Sequence, residues 1–74
     1  MSLHPAEFAR MTPIQRELLT KLRAKHWHFS MLYHRSIYFR PTEKITWPDG
    51  SVHRTDSWRR PGIKVTPTGR ILKA

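Results

Sequence analysis

Seventy-four residues without one cysteine leave this chain no disulfide and no thiolate-bound metal to hold it together. A domain of about 60 residues buries only about 60% of its unfolded surface. Stability must therefore come from one thin apolar core, and residues 1–74 are expected to form a single small basic domain. A large enzyme fold is excluded on size alone. The missing cysteines fit a reducing compartment, so a cytoplasmic location is expected. The longest uncharged apolar stretch, residues 27–33, is broken by His28 and Ser30 and is far too short to cross a bilayer, so no membrane partner is expected.

Local signals divide the chain. His4 can cap a short first turn over residues 5–10, with Pro5 and Glu7 in first-turn positions. Thr12 and Gln15 have capping-box spacing and Pro13 fits the first helical position, which predicts a helix over residues 13–25 with Ile14, Leu18, Leu19 and Leu22 on one face. Residues 29–39 alternate and are rich in aromatics, which is strand chemistry: one long strand bent near residues 34–36 or two short strands meeting there, closed by Pro41. Tyr33 and Ile37 are expected on one face. Pro48-Asp49-Gly50 between residues 44–47 and 51–54 predicts a hairpin. Residues 57–62 read as a loop, and a second hairpin joins residues 63–65 to 70–72 through Thr66-Pro67-Thr68-Gly69.

These elements amount to an α+β fold: one main N-terminal helix packed on a small antiparallel sheet of hairpins, a winged-helix-like arrangement being the alternative. Two layers around one core are the smallest stable solution. Leu18 and Leu22 are expected beneath the sheet with Ile37, Phe39, Ile45, Val52, Ile63 and Val65.

Fourteen Lys and Arg against five Asp and Glu give a formal net charge of +9. The isoelectric point near 11.3 requires an acidic partner, either nucleic acid (DNA or RNA) or an acidic protein surface. Nine of the fourteen basic residues are Arg, whose planar fork holds phosphate bidentately. Lys21, Arg23, Lys25, Arg35 and Arg40 are interleaved with Trp27, Tyr33 and Tyr38 and with no acid, a mixture suited to phosphate neutralisation and base stacking. A second basic group, Arg54, Arg59, Arg60, Lys64 and Arg70 with Trp58, is expected around the Pro61-Gly62 loop and the second hairpin, offset only by Asp56. The alternative for both sets is that the aromatics, Trp27 above all, are core and the cations a solvated rim.

Five histidines, with His26, His28 and His34 close in sequence, supply too few converging ligands for zinc, and no metal or other cofactor is expected. No nucleophile elbow, zinc-protease motif, P-loop or close carboxylate pair is present, and His53 with Asp56 and Ser57 is a chance grouping. The chain is not expected to be an enzyme.

Residues 11–19, Met-Thr-Pro-Ile-Gln-Arg-Glu-Leu-Leu, resemble the Thr-Pro-capped opening helix of small winged-helix proteins common in phages and prophages. Residues 63–70, Ile-Lys-Val-Thr-Pro-Thr-Gly-Arg, are similar to the wing strand and turn of the same family. The two segments cover 17 of the 74 residues, and the stretch between them reads as strand where that family carries a recognition helix. The resemblance implies DNA binding in which the hairpin makes a phosphate or groove contact. Size, charge and the lack of catalytic motifs are also similar to small phage proteins that block a host machine such as RNA polymerase or a defence nuclease, for which Trp27, Tyr33, Tyr38, Trp58, Arg59 and Arg60 are the candidate anchors. The leading expectation is a small, non-enzymatic, nucleic-acid-binding regulatory protein of phage or prophage type. The alternative is a host-protein inhibitor or adaptor.

Overall fold

The computed structural model describes residues 4–74. Helix α1 (Pro5–Arg10) and helix α2 (Pro13–Ala24) are followed by strands β1 (Trp27–Tyr33), β2 (Ser36–Thr46), β3 (Val52–Asp56), β4 (Ile63–Val65) and β5 (Ile71–Lys73). The fold is α+β, with helices packed on a small antiparallel sheet.

Helix α2 begins as its sequence dictates. Thr12 Oγ1 accepts from the Gln15 N–H at 3.2 Å, Gln15 Oε1 accepts from the Thr12 N–H at 3.1 Å, and Pro13 stands at the first helical position. His4 caps α1 from Nδ1, which accepts from the Ala6 N–H at 3.1 Å. The second helix stops at Lys25 because His26 turns left-handed, with φ of 67°.

The main sheet runs β1-β2-β4-β5, every neighbouring pair antiparallel. Residues 29–39 are two strands, turned back at His34 and Arg35, both at positive φ as a two-residue type I′ turn requires. Pro41 does not close the segment. Strand β2 continues to Thr46, and Pro41 stands at its last pair with β1, opposite Trp27, where pairing passes to β3 and a missing N–H is tolerated. Its carbonyl accepts from the Ser57 N–H at 2.8 Å, fastening the end of β3 back to the sheet.

Gly50, at φ of 89°, turns the chain between β2 and β3, and Gly69, at φ of 91°, turns it between β4 and β5. A Cβ on Gly69 would meet Ile14 Cγ2 at 2.5 Å, so this turn is pressed directly on α2.

The core consists of Met11, Leu19, Phe29, Ile37, Phe39 and Val65, flanked by Leu18, Leu22, Trp27, Leu32 and Ile63. Phe29 and Phe39 meet edge to face at 5.9 Å. Two expected members lie outside it: Ile45 is 37% exposed and Val52 53%. A helix of twelve residues is about 18 Å long, whereas the molecule extends 43 Å on its longest axis. The outer part of β2 with β3 runs past the helix as a two-stranded arm, with nothing to bury its apolar side chains.

The expected sharing of a face by Tyr33 and Ile37 also fails. The two-residue turn sets Tyr33 opposite Ser36 and so on the other face from Ile37, and a bulge between Phe29 and Met31 keeps Phe29 on the core side with Leu32 while Met31 and Tyr33 point away. Leu32, not Tyr33, pairs with Ile37.

Candidate nucleic-acid interface

The face of the sheet turned away from α2 has no second layer. Its register aligns Met31, Tyr38, Lys64 and Leu72 in one row across all four strands of the main sheet. Tyr33 and Ser36 flank that row on one side, and His28 and Arg40 flank it on the other. Aromatic, aliphatic and cationic side chains therefore alternate over an open surface, a composition suited to base faces and phosphates alike.

Trp58, in the loop after β3, stands over this surface with 76% of its area exposed. The Arg40 guanidinium lies 4.0 Å from the centre of its ring, a cation–π contact that orients both groups. Gly62 makes the close packing here possible. A Cβ at this position would lie 2.7 Å from the Phe39 carbonyl oxygen and 3.7 Å from Arg40 Nη1. Ser30, Met31, Tyr38, Arg40, Trp58 and Gly62 line a shallow cleft of about 290 Å³.

A second cationic site lies at the root of the arm. Arg54 Nη1 donates to Thr42 Oγ1 at 3.3 Å and Arg60 Nη2 to the Thr42 carbonyl at 3.1 Å, while the Thr42 hydroxyl donates to the His26 carbonyl. Lys25 and Trp27 complete this crevice. Trp27 is partly buried and packs against the core, so it serves the fold as well as the crevice.

The remaining expected site residues are dispersed. Lys21 pairs with Glu17 at 3.1 Å, Arg23 lies exposed on α2, and Arg35 occupies the β1–β2 turn. The second basic group, expected around the Pro61-Gly62 loop and the second hairpin, has Arg59 and Arg60 in that loop and Lys64 and Arg70 on that hairpin, but their side chains serve different surfaces. Arg59 pairs with Glu43 at 3.0 Å, Arg54 and Arg60 turn to the arm root, Lys64 joins the open face, and Arg70 sits at the far β4–β5 turn. Asp56, expected to offset Arg54, contacts His28 instead, Nδ1 to Oδ1 at 2.8 Å.

Acid is scarce on the open face. Among the described residues Glu17 and Glu43 face a Lys or Arg in ion pairs, Asp56 faces His28, and Asp49 is at the arm tip with Ser51. Among the fourteen basic side chains only Lys21 and Arg59 are in such pairs. Among the described residues no three His, Asp or Glu side chains converge as a metal site, and no helix is long and apolar enough to cross a membrane.

Sequence reasoning missed Met31 and Leu72 in the open row, because the bulge that turns Met31 outward and the β4–β5 pairing that brings Leu72 alongside leave no local signal. It also missed Gln15 as more than a cap. A scan of protein-family models and searches of curated proteins and of solved structures find no match to this chain.

Proposed function

We propose that the protein is a small, non-enzymatic nucleic-acid-binding module of regulatory type, with the open face of its sheet as the binding surface. The observation that carries this reading is the row formed by Tyr38 and Lys64 with Met31 and Leu72, bordered by Tyr33 and by Arg40 beneath Trp58, on a face whose neighbouring carboxylate, Asp56, is already engaged by His28. Cations there neutralise phosphates and aromatic rings stack bases. The phage or prophage setting rests on the winged-helix resemblance of residues 11–19 and 63–70 alone.

Fluorescence titration at several salt concentrations tests the reading. With about six phosphates contacted, log K against log salt falls with a slope near −5 on duplex DNA and near −4 on single strands. Absence of binding to duplex DNA, single-stranded DNA and RNA at about 50 mM salt refutes it.

A second reading, a protein-blocking adaptor, is favoured by one feature. The arm exposes Trp47 and Val52, 52% and 53% accessible, beside Lys44 and Arg54. A stoichiometric protein partner retained from nuclease-treated host lysate, and lost on Trp47→Ala, supports that reading over the first.

A further inference from the structure

Arg40 holds the one buried side-chain polar atom without a hydrogen-bond partner among the described residues, its Nη1. A guanidinium cannot shed its proton, so a donor buried without an acceptor is costly unless something supplies one. The surroundings define what can. Trp58 covers the guanidinium on one side and is itself 76% exposed. Gly62 supplies a floor without a side chain, and Tyr38 and Met31 line the cleft beside it. Arg40 carries the one charged side chain in the cleft lining, which also includes Phe39 and Ala74, and the net charge of the chain is +9, so an occupant that is anionic as a whole is favoured.

Resting on the proposed nucleic-acid binding, we propose that this cleft seats one unpaired guanine of a single strand, its ring against Tyr38 and the edge of Trp58 and its O6/N7 edge toward Arg40. Guanine alone among the bases presents two adjacent acceptors on that edge; adenine sets an amino donor beside N7, and cytosine offers an amino donor. Two donors of an arginine therefore match guanine and meet a donor on the other two. An open sheet gains stacking only where base faces are uncovered, which excludes an intact duplex from the cleft.

The test uses the full chain and labelled twelve-nucleotide strands of thymine with one central guanine, adenine or cytosine, as DNA and as RNA, beside a duplex. Binding is read by anisotropy near 100 mM salt. The guanine strand binds between about 5-fold and about 150-fold tighter than the adenine or cytosine strand. Equal preference in DNA and RNA identifies the base as the ligand; preference in one alone adds a sugar contact to the same seat. Arg40→Lys, which keeps the charge, removes the preference while binding persists. Trp58→Ala, at a site too exposed to endanger folding, weakens all three single strands together. Single strands bound without base preference, or a duplex bound as tightly as the guanine strand, overturn the guanine seat and leave nucleic-acid binding standing. No binding to any of these polymers overturns both.

Discussion

Gln15 ties three parts of the molecule together. Its side chain is 1% exposed, and Nε2 donates to the Arg35 carbonyl at 2.7 Å and to the Val65 carbonyl at 3.0 Å while Oε1 completes the helix cap. One amide thus fastens the start of α2 to the β1–β2 turn and to β4. Thr12 adds a fourth tie, donating to the Pro67 carbonyl at 2.8 Å. Removing the amide leaves buried carbonyls without a donor, which costs about 1–3 kcal/mol, and the lost half of the capping box adds to it. We expect Gln15→Ala to lower unfolding free energy in urea by about 2–3 kcal/mol. Gln15→Met, close in volume, stays nearly as unstable; recovery with Met would assign the effect to packing instead.

At the level of elements, the two turns at the ends of β2 differ in kind. His34 and Arg35 hold left-handed conformations, φ of 48° and 65°, where Asn and Gly are at ease. Such conformations cost about 1–3 kcal/mol per residue, and the Gln15 bond to the Arg35 carbonyl helps hold the turn in place. Replacing the pair by Asn-Gly should raise stability by about 1 kcal/mol net, part of the relief being offset by the looser unfolded chain. Unchanged or reduced stability in urea would contradict this. The arm tip has no such strain, since Gly50 takes the positive φ. Asp49 is held below the usual carboxylate range by the Ser51 hydroxyl and N–H, which donate to Oδ1 at 2.5 and 2.8 Å. Because the folded value is depressed, the contact is complete above the ordinary carboxylate pKa and is lost as pH falls through the lowered value. The Ser51 amide resonance should move over that acidic interval in the parent and stay still in Asp49→Ala. The group is fully exposed, so the change is confined to the tip.

Considered whole, the molecule is a small core with a projecting arm. Helix α2 and the main sheet enclose the buried residues, while Ile45, Trp47 and Val52 lie beyond its reach. Stability should accordingly respond very unevenly. Phe39→Ala, at 1% exposure, should cost about 3–5 kcal/mol. Trp47→Ala and Val52→Thr should each stay within about 0.5 kcal/mol of the parent. A large loss at Trp47, read by thermal melting, would mean that the arm folds back on the core in solution. The same layout explains why the sheet face is available at all. With one helical layer and few residues, the chain covers one side of its sheet and leaves the other to solvent or to a ligand.

Much of this fold is legible locally. The Thr12–Gln15 capping box, Pro13, Pro48-Asp49-Gly50 and Thr66–Gly69 act through bonds and torsions within a few residues, so helix α2 and both later hairpins could be read from the sequence. The sign of the partner's charge is likewise a property of composition. Which side chains share a face was decided only by tertiary structure, because that depends on pairing register and on the phase of alternation along each strand. The two-residue turn set Tyr33 opposite Ser36 rather than beside Ile37, the bulge between Phe29 and Met31 reversed the phase for Phe29, and the passage of β2 through Pro41 carried Ile45 out of the core. Strands distant in sequence brought Tyr38, Lys64 and Arg40 onto one surface and left Arg59 and Arg70 elsewhere, a sorting that only long-range hydrogen bonding between strands performs.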